Sequence, residues 1–222
     1  MNKTVILDLD GTILDTSARH YRAYVDSIEA VLDEGPLDLP SHEDFWASKR
    51  DGKRTVDTLP DSFPEEKRNR FESQWIERIE QRQYLELDQF VEGVTPVLES
   101  IEQRANRLLL VTHRSNETTA AWQLDEFGIA DHFDKMYIVP HNAETKQERL
   151  RSEEGTFGPK DVMIGDSEAD IRTAHDLGIV SIAVTSGVRS RELLEQEDPT
   201  HVLAVLTEAT KLLRSPVHHE SQ

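Results

Sequence analysis

Five short runs rich in β-branched and apolar residues punctuate the chain: Thr4–Leu9, Leu108–Thr112, Lys135–Val139, Val162–Gly165 and Val180–Thr185. Each is nearly continuous in its apolar character, the pattern of a strand covered on both faces of a sheet. Between the runs the spacing changes to three and four residues. Val94, Val97, Leu98 and Ile101 make one such stripe just ahead of the second run. A helix is predicted over 116–127, with Asn116 as N-cap and Gly128 as stop, and another over 167–177, stopped by Gly178. Strands alternating with helices predict an α/β fold, a doubly wound parallel sheet with helices on both faces.

The stretch from Thr16 to Gln89 breaks this alternation and holds no convincing strand. Tyr21, Tyr24, Ile28 and Val31 or Leu32 form a helical stripe, and Ser41 with Asp44 three residues on is a capping-box pattern. Ser62, Pro64, Glu65 and Glu66 announce a further helix, with Phe71, Trp75, Ile76 and Ile79 on one face. Residues 16–89 are therefore expected to form an all-helical insertion in a core built from 1–15 and 90–222. The polar tail from Ser215 is expected to fray.

Composition narrows the function. With 222 residues there is room for one domain carrying a smaller one. No apolar run approaches the roughly 20 residues of a membrane span, and the N-terminal run meets Asp8 too early for a secretory signal. A cytoplasmic protein without a membrane partner is expected. The chain has no cysteine, so disulfides, thiolate metal sites and cysteine nucleophiles are excluded. A net charge of −18 repels nucleic acid phosphates, and no nucleic acid partner is expected. Arginines number 17 against 8 lysines, a balance that fits a salt-adapted protein or an ordinary acidic one.

The candidate chemistry gathers at the ends of the predicted strands, where ligands bind in such sheets. Asp8-Leu9-Asp10-Gly11-Thr12 places two carboxylates on the same side of a strand end, and like charges so close call for a cation or a shared proton. Gly165-Asp166-Ser167 with Asp170 repeats the theme at another strand end. Asp166 could instead cap the following helix, with Asp170 a solvated residue on it. Oxygen ligands drawn from separate strands are what Mg²⁺ requires. Thr112 ends the second run, where a hydroxyl beside free turn amides can hold a phosphate oxygen. Lys146 follows the third run and can neutralise phosphate or a nucleophile, with Lys160 as the alternative.

These residues, in this order, resemble the four motifs of the haloacid dehalogenase-like hydrolases, and the resemblance covers nearly the whole chain. It implies a Rossmann-like core with an inserted helical cap, similar to the phosphoglycolate phosphatase and β-phosphoglucomutase branch. It further implies Asp8 as nucleophile, Asp10 as general acid and base, and Thr112 with Lys146 as the phosphoryl-binding pair. Asp8, the Asp10 backbone carbonyl, Asp166 and Asp170 would hold Mg²⁺. An acid at position 10 favours phosphate chemistry over carbon–halogen cleavage. The expected function is a Mg²⁺-dependent phosphatase acting through an aspartyl-phosphate on a small phosphorylated metabolite, as a monomer or homodimer. The alternatives are a sugar phosphomutase and a non-catalytic binding protein on the same fold. The chain departs from the pattern at His113-Arg114, where an Asn often follows the hydroxyl residue, and at Thr145-Lys146-Gln147, which lacks the frequent Lys-Pro pair. The basic run Lys49, Arg50, Lys53, Arg54 is expected to grip the non-reacting part of an anionic substrate, or else to be a solvated turn. His20 is expected as a substrate contact near the hinge of the cap, or else as an ordinary helix histidine. His113 and Arg114 are candidate residues at the mouth of the site, whereas Trp46 and Trp75 are expected to pack within the cap.

Overall fold

The computed structural model describes residues 3–32, 37–141 and 143–213, so the expected fraying of the tail lies outside the described residues. Six parallel strands, β1 (Thr4–Leu7), β4 (Arg107–His113), β5 (Lys135–Val139), β6 (Val162–Gly165), β7 (Val180–Val184) and β8 (His201–Leu203), lie in the order β5-β4-β1-β6-β7-β8. Two further strands, β2 (Leu14–Asp15) and β3 (Gln89–Phe90), form a short antiparallel ribbon. Side chains alternate across the sheet. Val5, Leu7, Leu108, Leu110, Val162 and Ile164 enter one hydrophobic cluster, while Ile6, Leu109, Val111, Tyr137 and Met163 enter the other. Both faces are therefore dry, which is why the strands read as continuous apolar runs. Truncating a central residue such as Leu7 or Ile6 to Ala would cost about 2–5 kcal/mol.

Helices cover both faces: α5 (Val94–Glu102), α6 (Glu117–Glu126), α7 (Lys146–Glu154), α8 (Glu168–Leu177), α9 (Arg191–Glu195) and α10 (Ala209–Leu212). The expected punctuation is present. The Asn116 side chain accepts the Thr119 amide at 3.1 Å, and Gly178 ends α8 in the left-handed conformation. Strand β8 was not anticipated, because three residues offer too little periodicity to register. The two-residue strands β2 and β3 escaped for the same reason.

Helices α1 (Ser17–Val31), α2 (His42–Arg50), α3 (Arg68–Ile79) and α4 (Arg82–Leu85) occupy the segment between β2 and β3. They enclose a core of their own, with Tyr24, Ile28, Val31, Phe45, Phe63 and Phe71 buried and Trp46 and Trp75 packed against it. One reading needs correction. Ile76 does not share the buried face of α3 but is 58% exposed, while Phe71 is fully buried. Position 76 follows Trp75 directly and so lies some 100° further around the helix. Among the described residues no helix is long and apolar enough to cross a membrane.

The chain leaves β1 toward β4 and β5 and later returns to β6 on the other side of β1. The strand order therefore reverses at β1, and the carboxyl ends of β4, β1 and β6 meet at this switch point, where open α/β sheets bind their ligands.

Candidate active site

Asp8 directly follows β1, Thr112 lies at the end of β4 and Asp166 directly follows β6, so three adjacent strand ends supply the centre of the site. The Asp8 amide donates to Ile164 O at 2.9 Å, extending the pairing of β1 with β6 by one residue. Gly11 then turns the chain out of the sheet with φ +76°. A Cβ there would lie 2.1 Å from Asp166 Oδ2, so the position needs glycine for conformation and for space alike. A Cβ on Gly187 would likewise run into Asp166 Oδ2, at 1.9 Å.

Oxygens of Asp8, Asp166 and Asp170 lie within 4.8 Å of one another, and all three residues are buried. Lys146 reaches into this group, with Nζ 2.7 Å from Asp8 Oδ1 and 2.6 Å from Asp170 Oδ1. Lys146 opens α7, whose N-cap Thr145 and Glu148 form a reciprocal capping box. A cation at a helix N-terminus is normally disfavoured; here two carboxylates offset that cost. Lys146, not Lys160, is thus the lysine beside the aspartates. Asp170 is not solvated. Its Oδ2 accepts from the Ser167 hydroxyl at 2.6 Å, and Ser167 rather than Asp166 is the N-cap of α8. Asp166 Oδ2 accepts the Val188 amide at 2.6 Å.

Electrostatics follow from this crowding. Burial pushes the Asp8 carboxyl up to about 7, with Asp170 and Asp10 adding to the rise and Lys146 opposing it. Burial, then Asp8 and Asp170, raise Asp166 well above the usual carboxylate range. Burial alone would lower Lys146, but Asp170 and Asp8 outweigh it and hold the ammonium charged. One lysine facing three buried carboxylates leaves negative charge uncompensated. An all-oxygen donor set with that surplus fits a hard divalent cation.

Asp10 faces elsewhere. Its Oδ1 is 2.6 Å from Arg114 Nη2 and 3.1 Å from Arg19 Nη2. Burial works against its charge, but Arg114 and then Arg19 outweigh that and hold the carboxyl well below its usual range. The arginines belong to a larger buried network. Arg114 donates to Gln123 Oε1 at 3.1 Å, Gln123 donates to Asp88 Oδ2 at 2.7 Å, and Arg19 Nε lies 3.2 Å from Asp88 Oδ1, outside hydrogen-bond alignment. Arg19 stands in the first turn of α1 and Asp88 on the connection from α4 to β3, near where the chain enters and leaves the helical segment.

Several expected residues sit differently from their sequence reading. Arg114 is not at the mouth but buried against Asp10. Lys49 does not lie in a loop; it ends in the last turn of α2, buried, with Nζ donating to Thr55 Oγ1 at 3.0 Å and standing 5.9 Å from the Trp75 ring. Lys53 and Arg54 are exposed, and Arg54 pairs with Asp57 at 2.9 Å. His20 packs between Trp46 and Trp75, each ring 5.6 Å away, and its Nδ1 has no partner. Burial, Arg19 and Lys49 lower its pKa and Asp10 raises it, so His20 lies within reach of the aspartates' field. His113 stacks on His141 at the rim. Arg19, Asp88 and Gln123 were not anticipated, since a lone Arg, Asp or Gln carries no periodic signal. A cavity of about 340 Å³ lined by Asp26, Gln74, Arg78 and Tyr84 lies on the helical segment, and none of these residues belongs to the acidic cluster.

Comparison with known proteins agrees with this geometry. A family model described as haloacid dehalogenase-like hydrolase matches residues 5–184. The pyrophosphatase PpaX of Halalkalibacterium halodurans is 25% identical over 212 residues, covering 90% of this chain and 91% of that protein. A haloacid dehalogenase-like family hydrolase from Streptococcus pneumoniae has the same fold, with a TM-score of 0.74 at 17% identity, covering 96% of this chain and 99% of that one. A structure described as a predicted phosphoglycolate phosphatase from Haemophilus somnus aligns with a TM-score of 0.68 at 19% identity, over 96% of this chain and 98% of that one.

Proposed function

Because the chain belongs to the haloacid dehalogenase-like hydrolases, we propose that it is a Mg²⁺-dependent phosphatase that hydrolyses a small phosphate monoester through an aspartyl-phosphate on Asp8. The observation that carries this reading is the meeting of Asp8, Asp166, Asp170 and Lys146 at one switch point of the sheet. Asp8, Asp166, Asp170 and the Asp10 carbonyl would hold Mg²⁺. Bound there, the metal supplies positive charge that lets a carboxylate approach a phosphate anion.

The chain's own groups divide the remaining work. Asp8 attacks phosphorus and takes the phosphoryl group, while the bond to the leaving oxygen breaks. Lys146 and Thr112 hold the phosphoryl oxygens, whose positioning and neutralisation carry most of the catalysis. Asp10, held ionised here by Arg114 and Arg19, takes up a proton as substrate binds; it gives that proton to the leaving oxygen and then takes one from the water that cleaves the aspartyl-phosphate. Residues 16–89 act as a cap over this chemistry, and His20, Lys49 and the exposed Lys53 and Arg54 are its candidate substrate contacts.

A second reading is hydrolysis of inorganic pyrophosphate. The relative named pyrophosphatase suggests it, and the buried ammonium of Lys49 beside His20 and Trp75 is suited to a second phosphoryl group. Phosphate release from p-nitrophenyl phosphate, phosphoglycolate and pyrophosphate, each with Mg²⁺ and with EDTA, tests both. Mg²⁺-dependent release is expected. Isomerisation of a sugar phosphate without release would make the protein a mutase, and no turnover on any of them would remove the enzymatic reading.

A further inference from the structure

Glu80 follows the last turn of α3, in the helical segment, yet its carboxylate lies on the sheet domain's phosphate side. It accepts the Ser115 amide at 2.9 Å on Oε1 and 3.0 Å on Oε2, and the Asn116 amide at 2.8 Å. Both amides stand at the start of α6, where the helix dipole favours negative charge. They end the loop that begins at Thr112 and includes Arg114. Arg114 fixes the middle of that loop through Asp10 and through its own amide, which donates to Val139 O at 3.1 Å. Glu80 fixes the far end.

We propose that Glu80 is a positioning residue that joins closure of the helical segment to ordering of the phosphoryl-binding loop. The inference rests on the functional reading above, because that reading puts the Thr112 hydroxyl on the phosphoryl group, and residues 112–116 are the strand end and turn that carry it. On that reading the helical segment covers Asp8 and Lys146, both buried, so a substrate reaches them when the segment withdraws. Withdrawal takes Glu80 away and leaves the two amides to water. Its return gives them a charged acceptor, and charge-assisted hydrogen bonds are among the stronger ones a loop can make. The far end of the loop is then held only while the helical segment is closed. A second contact closes the opposite side, where the Ser190 amide donates to Arg50 O at 2.9 Å, but it touches no residue of the 112–116 loop.

Amide hydrogen exchange and steady-state kinetics on the full chain test this with Glu80→Ala and Glu80→Gln. In Glu80→Ala the amides of Ser115 and Asn116 are expected to exchange roughly tenfold faster, the loss of a charge-assisted bond. Amides inside β4 and the melting temperature should stay as they are. With p-nitrophenyl phosphate and Mg²⁺, kcat/KM should fall about tenfold, and Glu80→Gln, which keeps one carbonyl acceptor, should recover part of both effects. Unchanged exchange at 115 and 116, or faster exchange with unchanged kcat/KM, overturns the proposal. A parent protein without Mg²⁺-dependent turnover defeats the functional reading and this inference with it. Turnover in the parent matched by Glu80→Ala defeats the inference alone.

Discussion

One buried ammonium, Lys146 Nζ, bridges Asp8 Oδ1 at 2.7 Å and Asp170 Oδ1 at 2.6 Å, joining carboxylates that stand far apart in the sequence. Removing the ammonium leaves buried carboxylates with no counter-charge, which typically costs 3–5 kcal/mol. Lys146→Met is therefore expected to lower stability to urea by about 3 kcal/mol in EDTA. Mg²⁺ should restore part of that loss, since the cation supplies the missing charge. Urea titrations with and without Mg²⁺ measure both effects.

The metal reading makes a separate prediction. A ligand that binds only the folded state raises its stability in proportion to the logarithm of its concentration. Millimolar Mg²⁺ should raise the melting temperature of the parent protein, and Asp166→Asn should abolish the rise. An equal rise in both proteins would place the ion elsewhere.

Arg114 gives a third. Its Nη2 donates to Asp10 at 2.6 Å and to Gln123 at 3.1 Å from a buried position. Arg114→Met should cost about 3 kcal/mol of stability and lower kcat by roughly a hundredfold, because Asp10 loses the group that orients it. Arg114→Lys should not rescue kcat fully, since the shorter lysine stem does not carry its ammonium to the place where Nη2 stands between the two acceptors.

These contacts explain which parts of the molecule were legible in the sequence. The apolar runs of β1, β4, β6 and β7 announced themselves because both sheet faces are covered there, while β5, at the sheet edge, read as a strand although its Met136 is exposed. Asp8 and Asp166 were legible because each stands where such a run ends. The network of Arg19, Asp88, Gln123 and Arg114 was not. Its members come from two helices, a linker and a strand end, and only tertiary packing brings them together. Lys49 was misplaced because a basic cluster reads as a solvated turn, while its buried ammonium lies against Thr55 and over the Trp75 ring. Glu80 was silent for a similar reason: its partners are backbone amides, which no residue type advertises.

Lys49 also sets a pH dependence. Burial, with Arg189 nearby, lowers its pKa to about 8 from an ordinary 10.5. Above about pH 8 the folded protein has released this proton while the unfolded chain still holds it. The unfolded state then binds more protons, so this group's contribution to stability rises with pH between about 8 and 10.5. Relative to Lys49→Met, the parent should gain stability across that window by an amount on the order of 2–3 kcal/mol. Parallel curves for the two proteins would contradict this placement of Lys49.

The account depends most on a phosphoryl group passing through Asp8. Acid-quenched protein from a Mg²⁺-supported turnover, digested and mapped by mass spectrometry, reads this directly. The account predicts a phosphoryl adduct on the peptide containing Asp8, lost together with turnover in Asp8→Asn. Turnover that persists in Asp8→Asn, or an adduct on another residue, would contradict it.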